Sequence, residues 1–253
     1  MHIPSLKEVI SAEEWQLRCD LAACYRLVAL YGWTDLVFTH ISARLPGDGH
    51  DFLINPYGLL FEEITASSLV KINAEGAVLA PTPYAVNPAG FTIHSAVHMA
   101  RKDAGCVIHL HTRDGVAVSM IEEGLLPLTQ SAMLVAGDVA FHEYEGIALN
   151  HEERARLQAD LGEKNLMLLR NHGTLAIGGD CAEAFTRMYF LERACTTQVR
   201  ALSMGRPLHQ PDPAVAAGVG QLSGPNGLPI VGRALVWPAL LRKLDRLDAS
   251  YKD

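Results

Sequence analysis

The chain has 253 residues, of which 49% are hydrophobic and 19% are charged, and its formal net charge is −7. This composition is typical of a folded protein with a sizeable core and argues against a disordered chain. The acidic balance, without a basic run, argues against nucleic-acid binding and against a polybasic membrane patch.

Membrane-spanning and targeting segments are not predicted. No apolar stretch reaches the roughly 20 residues that a spanning helix needs, and the opening MHIPSLKEVISAEEW lacks the apolar core of a signal peptide. The cysteines are odd in number and form no C-x-x-C pair, so we expect a reduced, cytoplasmic protein without disulfides or a cysteine-built zinc knuckle. They are Cys19, Cys24, Cys106, Cys181 and Cys195.

The first third of the chain predicts a long helix followed by short strands. Residues 11–33 carry apolar side chains at helical spacing, and Ser11 with Glu14 forms a capping-box pattern. Two β-like runs, DLVFTHISARLP and HDFLINPYG, flank the turn-rich PGDGH and predict a hairpin. A second hairpin is predicted to turn at residues 74–76.

The middle of the chain alternates helices and strands. Residues 88–105 predict an amphipathic helix, and CVIHLH, residues 106–111, is short and apolar enough to be a buried strand. A helix is then expected from about Thr112 to Gly124. Further on, DVAFHEY predicts a strand, HEERARLQADLG a charged helix, and NLMLLRNHGTLAIGG a strand, a tight turn and a strand.

The last part of the chain contains the clearest helix, at residues 180–205, where apolar side chains follow one stripe. Residues 206–233 are rich in Pro and Gly and predict a loop or arm. Residues 234–251 predict a helix that begins or kinks at Pro238.

These elements divide the chain into a domain at residues 1–205 and a Gly/Pro-rich arm with a C-terminal helix at residues 206–253. There is no internal repeat. The mixture of helices with several hairpins predicts a three-layer α/β/α fold around a mostly antiparallel central sheet.

Two histidines stand one residue apart at the end of the CVIHLH strand. Side chains alternate across a strand, so His109 and His111 share one face and Leu110 points to the other. Two imidazoles on one face are half of a metal site. They could equally be an acid/base pair or two strand-end histidines that come together by chance.

A third histidine, His172, is the best candidate to complete a metal site. An apolar strand leads into Asn171-His172-Gly173, and the glycine permits a sharp reversal of the chain. A histidine held in such a turn projects into a cleft. As an isolated feature it could also be an ordinary surface turn residue.

The chain resembles the class II aldolase/adducin family in NPAGFTIHSAVHMARKDAGCVIHLHT, LLRNHG, DLVFTHISARLP, INPYGLLFEEITASSLVKI and DVAFHEYEGIAL. The resemblance covers roughly residues 12–205, and its histidine motifs match the adducin-like branch best. It implies an α/β/α fold and a divalent metal held by the histidines at 109, 111 and 172. The metal is typically zinc, with Fe(II) or Mn as further choices. It also implies a homotetramer with sites between neighbouring subunits.

The chain departs from the family's sugar-phosphate aldolases at two places. Where they carry a PSSE-like segment, this chain has Asn87, Pro88, Ala89 and Gly90, so the phosphate-binding serines and the acid/base glutamate are missing. A glycine cannot move a proton. Their GNxS phosphate loop reads THIS here, with His40 in the asparagine position.

Another residue must therefore supply proton transfer if the protein is an enzyme. His40 and His94 are the candidates for catalysis, since an imidazole titrates near neutral pH, although each could instead be a packed or strand-end histidine. His98 is expected to pack between helix and sheet. Glu62 and Glu63 could replace the lost carboxylate, but exposed loop acids are usually only solvated.

The predicted function is that of a metal-dependent lyase. A metal-stabilised enolate would serve aldol cleavage or decarboxylation of a small, non-phosphorylated hydroxy or keto acid. Tyr57, Phe61 and Phe91 could line an apolar substrate pocket, or they could be ordinary core residues. The alternatives are a non-heme Fe(II) oxygenase that uses the same three histidines, and a non-catalytic, adducin-like binding module.

Overall fold

The computed structural model describes residues 4–47, 49–146 and 152–253, and these ranges contain a seven-stranded sheet in the order β3-β2-β1-β4-β7-β6-β5. Neighbouring strands pair antiparallel except for β5 and β6, which are parallel, so the predicted mostly antiparallel sheet is confirmed. The strands are β1 (His40–Arg44), β2 (Phe52–Ile54), β3 (Val70–Ile72), β4 (Cys106–Leu110), β5 (Val139–His142), β6 (Leu166–Leu169) and β7 (Gly173–Gly178).

Helices begin where the sequence provides caps. The side chain of Ser11 accepts a hydrogen bond from the N–H of Glu14 at the start of the first helix, and Asp180 caps the sixth by accepting from Glu183. The helices are α1 (Ala12–Leu30), α2 (Pro88–Ala100), α3 (Arg113–Ser119), α4 (Gln130–Val135), α5 (Glu153–Leu161), α6 (Cys181–Ser203), α7 (Pro213–Gly220), α8 (Leu228–Val231) and α9 (Trp237–Leu247). No helix in the described ranges is both long and apolar enough to cross a bilayer.

Alternation along β4 divides the molecule into the three predicted layers. Ile108 and Leu110 join the apolar cluster that contains residues of α1, α6 and α9, called here the α1/α6 cluster. Val107 joins the cluster that contains residues of α2 and α5 on the other face. Because His109 alternates with Ile108 and Leu110, its ring lies on the α2 side of the sheet.

Two expectations are corrected. Residues 206–233 were expected to form a loop, but α7 begins there at Pro213, directly after Asp212, whose side chain accepts from two backbone N–H groups. α7 and the following α8 are too short to show clear periodicity in the sequence. The second predicted hairpin also lacks its second strand: after β3 the chain turns at residues 74–76 and makes a single bridge between Ile72 and Val78.

The C-terminal residues pack onto the same core as the sheet. The Trp237 side chain is buried, and its indole N–H donates to Asp20 of α1 at 3.0 Å. Leu228, Leu244 and Tyr251 are also buried in the α1/α6 cluster. This packing joins residues 1–205 and the C-terminal residues in one core. The division of the chain at residue 205 stays a prediction.

Candidate metal centre

The structure brings together the three histidines that the sequence singled out. His109 lies in β4, His111 follows the end of that strand, and His172 lies in the turn between β6 and β7. Since β7 pairs directly with β4, the turn lies beside the end of β4. The ring centroids are 4.8 Å apart for each of the three pairs, and one nitrogen from each ring lies within 4.8 Å of the others.

Hydrogen bonds fix the tautomers of two of these rings. The Nδ1–H of His109 donates to the carbonyl oxygen of Thr174 at 3.0 Å, and the Nδ1–H of His111 donates to Asp35 Oδ2 at 3.0 Å. Each neutral ring therefore presents an Nε2 lone pair. Such partners on the far nitrogen are the usual supports of metal-binding histidines.

The two Nε2 atoms test whether a metal would fit. They are 3.0 Å apart, and two facing lone pairs repel unless a metal ion or a shared proton lies between them. Burial, with the neighbouring histidines, holds the pKa of His109 well below its ordinary value, which disfavours the proton. The donor set therefore fits a divalent cation such as zinc, which accepts neutral imidazole nitrogens.

The backbone of the β6–β7 turn accounts for the position of His172. Asn171 adopts φ +57°, a left-handed conformation that asparagine tolerates better than most residues. The N–H of His172 donates to Leu169 O at 3.0 Å. A side chain on Gly173 would overlap the carbonyl oxygen of Leu110, so a glycine is required where the turn contacts β4.

Acid is expected to destabilise the metal-free protein. Burial lowers the pKa of His172 to about 4 and that of His40 and of His98 to about 3, whereas unfolded histidine titrates near 6.5. Above about pH 6.5 these histidines are neutral in both the folded and the unfolded state, and the free energy of unfolding has its full value. As the pH falls toward about 4, only the unfolded chain binds protons, so the free energy of unfolding decreases.

Each such histidine contributes up to about 1.4 kcal/mol per pH unit in that window. Urea unfolding of the metal-free protein at several pH values measures this dependence directly. A midpoint that stays constant between about pH 6.5 and about pH 4 would contradict the buried, neutral histidines.

His40 lies beside the three rings, in the space above Gly90. A Cβ on residue 90 would lie 2.6 Å from Cγ and 2.7 Å from Nε2 of His40, so His40 can occupy this position only because residue 90 is a glycine. The ring stacks on His109 at 6.1 Å between centroids. Asn87 Nδ2 donates to its Nε2 at 3.0 Å, which leaves the proton on Nδ1.

His94 belongs to a buried chain of hydrogen bonds. His98 donates from Nδ1 to the Ala104 carbonyl at 3.0 Å, so its Nε2 accepts from the hydroxyl of Ser42 at 2.7 Å. That hydroxyl then accepts from Nδ1 of His94 at 2.6 Å. The Nε2 atom of His94 therefore carries a lone pair and is buried. Within the described part of the chain, neither His94 Nε2 nor His40 Nδ1 has a hydrogen-bond partner.

The other predicted site residues lie elsewhere. Glu62 and Glu63 are exposed, and Glu62 lines a cleft with residues of α1 and α9, on the side of the sheet opposite His109. Phe61 is fully buried in the α1/α6 cluster, which makes it a core residue. Phe91 is buried with Phe52 and the strands β2 and β3, while Tyr57 is partly exposed.

Sequence reasoning missed two residues beside the histidines. Asp35 supports His111 from a turn in which Leu36 and Thr39 have positive φ, a conformation that is costly for Thr. The ring of Tyr144 lies 6.2 Å from that of His172. Both lie in stretches that resemble the family, but nothing in the local sequence pairs either residue with a histidine, so only the tertiary contact reveals their role.

A second group of metal-binding side chains converges in the core. The thiols of Cys24, Cys106 and Cys181 lie within 4.8 Å of one another, although they are far apart in sequence. All three side chains are buried in the apolar α1/α6 cluster. A site enclosed in this way offers a substrate no approach, so the histidine cluster is the candidate for chemistry.

Known proteins resemble this chain in both sequence and fold. A family model described as the Class II Aldolase and Adducin N-terminal domain matches residues 19–199. A solved aldolase II superfamily protein from Pseudomonas syringae is 48% identical, with a TM-score of 0.93 over 99% of this chain and 100% of that one.

Two further relatives differ in kind. Alpha-adducin of Mus musculus is 48% identical over 195 residues, which are 76% of this chain but 26% of the adducin. The solved L-fuculose 1-phosphate aldolase of Glaciozyma antarctica is 28% identical, with a TM-score of 0.83 over 96% of this chain and 94% of that one. The chain is therefore similar both to a sugar-phosphate aldolase and to adducins.

Proposed function

The chain belongs to the class II aldolase and adducin family, and from that premise we propose that it is a metal-dependent lyase. The substrate we propose is a small, non-phosphorylated hydroxy or keto acid whose carbon–carbon bond is cleaved by aldol cleavage or decarboxylation. The observation that carries this proposal is the meeting of His109, His111 and His172 beside a fourth imidazole, His40.

The three clustered histidines are the proposed metal ligands. When bound, a divalent ion, zinc by preference, would supply Lewis-acid stabilisation of the negative charge that develops on a substrate oxygen. Three protein ligands are also the number that catalytic zinc sites use, with a further position left for substrate. Thr174 and Asp35 orient His109 and His111 for this task through their Nδ1 atoms.

We assign the catalytic roles to His40 and His94. In the neutral tautomer the Nδ1–H of His40 is a donor with no partner among the described residues. His94 presents a buried Nε2 lone pair, and the two ring centroids are 5.7 Å apart. In an aldol cleavage the Nε2 lone pair of His94 would take the proton of the substrate hydroxyl, and the imidazolium so formed would return that proton to the carbon after the carbon–carbon bond breaks. His40 would donate its Nδ1–H to a substrate oxygen from the space that Gly90 leaves free.

Cleavage of L-fuculose 1-phosphate is expected to be absent or very weak. Pro88 and Ala89 offer no hydroxyl to a phosphate, and Gly90 offers no carboxylate for proton transfer. A coupled assay for the triose phosphate product would measure this, with the Glaciozyma enzyme as positive control. Robust turnover of the ketose phosphate would show that the proposed substrate class is wrong.

Metal content tests the proposed reaction class. Protein purified without added metal is expected to contain about one zinc or manganese per chain, as a lyase requires. One iron per chain, with oxygen consumption on a phenolic or α-keto acid, would instead favour the oxygenase alternative.

The adducin similarity supports a second candidate, a non-catalytic binding module. This chain shares more identity with alpha-adducin than with the L-fuculose 1-phosphate aldolase. Absence of bound metal in the purified protein, together with absence of turnover on hydroxy and keto acids, would favour this candidate. The main proposal also includes a cytoplasmic location and assembly as a homotetramer. The exposed apolar side chains of Leu36 and Phe38, which lie close to Asp35 in the chain, suit a contact between subunits.

A further inference from the structure

Glu192 is a buried carboxyl group beneath the histidine cluster. It lies on α6, in the layer opposite the rings, and its side chain is 2% exposed. Thr174 Oγ1 donates to its Oε1 at 2.8 Å, and Thr112 Oγ1 donates to its Oε2. Burial raises its pKa to about 7, and these two hydroxyl groups oppose that rise.

Both threonines border the proposed metal ligands. Thr112 directly follows His111 in the chain. Thr174 lies two residues after His172, and its carbonyl oxygen accepts the hydrogen bond from His109 Nδ1. One carboxyl group therefore joins the two chain segments that carry all three histidines.

The packing around Gly115 keeps this junction tight. A Cβ on Gly115 would lie 2.6 Å from Thr112 Oγ1 and 3.0 Å from Glu192 Oε1, so no larger residue fits there. The N–H of Gly115 donates to Thr112 Oγ1 at 3.1 Å. One turn along α6, Thr196 donates to Asp114 Oδ2 at 2.5 Å and ties the same segment to the helix.

We propose that Glu192 is a positioning residue that holds the β4–α3 and β6–β7 segments in register, so that the three imidazoles bind a divalent cation. This inference rests on the proposed metal function. Glu192 does not touch the rings, and its effect passes through Thr112 and Thr174. Supporting groups of this kind commonly contribute roughly 10- to 100-fold to metal affinity.

Zinc affinity of the intact protein tests the proposal. Glu192→Ala should weaken Zn(II) binding, measured by competition with a chromophoric chelator, by roughly 10- to 100-fold. It should also broaden or shift the visible absorption bands of bound Co(II), which report ligand geometry. Glu192→Gln keeps the shape and one acceptor, and it should restore the affinity to within about threefold of wild type.

Glu183→Ala is the matched control. Glu183 is buried in the first turn of the same helix, away from Thr112 and Thr174, and it pairs with Arg187 and Arg233. Its loss should lower the thermal midpoint while zinc affinity and the Co(II) spectrum stay as in wild type. A loss of zinc affinity equal to that of Glu192→Ala would overturn the proposal, because general destabilisation would then explain both.

A milder pair of variants keeps the test valid if Glu192→Ala does not fold. Thr174→Val removes the hydroxyl but keeps the volume and the carbonyl, and it should lower zinc affinity by at least about threefold. Thr174→Ser should keep it. Wild-type zinc affinity in every variant would overturn the positioning role of Glu192 but leave the proposed metal function intact. Failure of the wild-type protein to bind Zn(II) would overturn the metal function and this inference together.

Discussion

The variant His109→Ala is expected to lose its metal and, with it, any lyase activity. His109 is buried, and its ring centroid lies 4.8 Å from that of each of the other two proposed ligands. Its loss removes one nitrogen donor and leaves the Thr174 carbonyl without its imidazole partner. The loss of affinity should exceed the roughly 10- to 100-fold effect of changes to supporting groups.

Elemental analysis and zinc titration of the purified variant measure this effect. The exposed His50, whose imidazole contacts Arg44 away from the cluster, provides the control His50→Ala, which should keep a full equivalent of metal. Retention of a full equivalent by His109→Ala would mean that the ion binds elsewhere.

The second large effect is expected at Gly90, on helix α2. In most helices a glycine-to-alanine change stabilises by about 0.5–1 kcal/mol. Here the new Cβ would lie 2.6 Å from Cγ of His40, so Gly90→Ala should destabilise by about 1–3 kcal/mol, as overpacking does. The displaced His40 ring should also lower any lyase activity.

A double-mutant cycle isolates this contact. With His40→Ala in place the space is free, so adding Gly90→Ala should cost nothing or stabilise slightly. The coupling free energy from urea unfolding should therefore exceed about 1 kcal/mol, as for residues in direct contact. Additive effects of the two changes would show that His40 does not occupy the space above residue 90.

Local sequence patterns were sufficient to predict most of the fold. A short apolar run predicted β4, the capping pattern at Ser11 marked the start of α1, and an apolar stripe predicted α6. The short helices between residues 213 and 236 were not predictable, because four to eight residues show too little periodicity. Packing stabilises them, and the Asp212 side chain caps the first of them, α7.

The candidate site was predictable only in part. Strand geometry placed His109 and His111 on one face, but the contact with His172 depends on β7 pairing with β4, which no local pattern specifies. Gly90 and His40 were each visible as departures from the aldolase motifs. Their contact, across fifty residues of sequence, and the support from Asp35 and Glu192 required the tertiary structure.

X-ray absorption at the metal edge of the purified, metal-loaded protein tests the central claim most directly. Three imidazole nitrogens should appear at about 2.0–2.1 Å from zinc, with the outer-shell scattering of histidine rings. Sulfur ligands at about 2.3 Å would instead place the ion among Cys24, Cys106 and Cys181. That spectrum, or a protein that takes up no metal at all, would contradict a metal centre built from His109, His111 and His172.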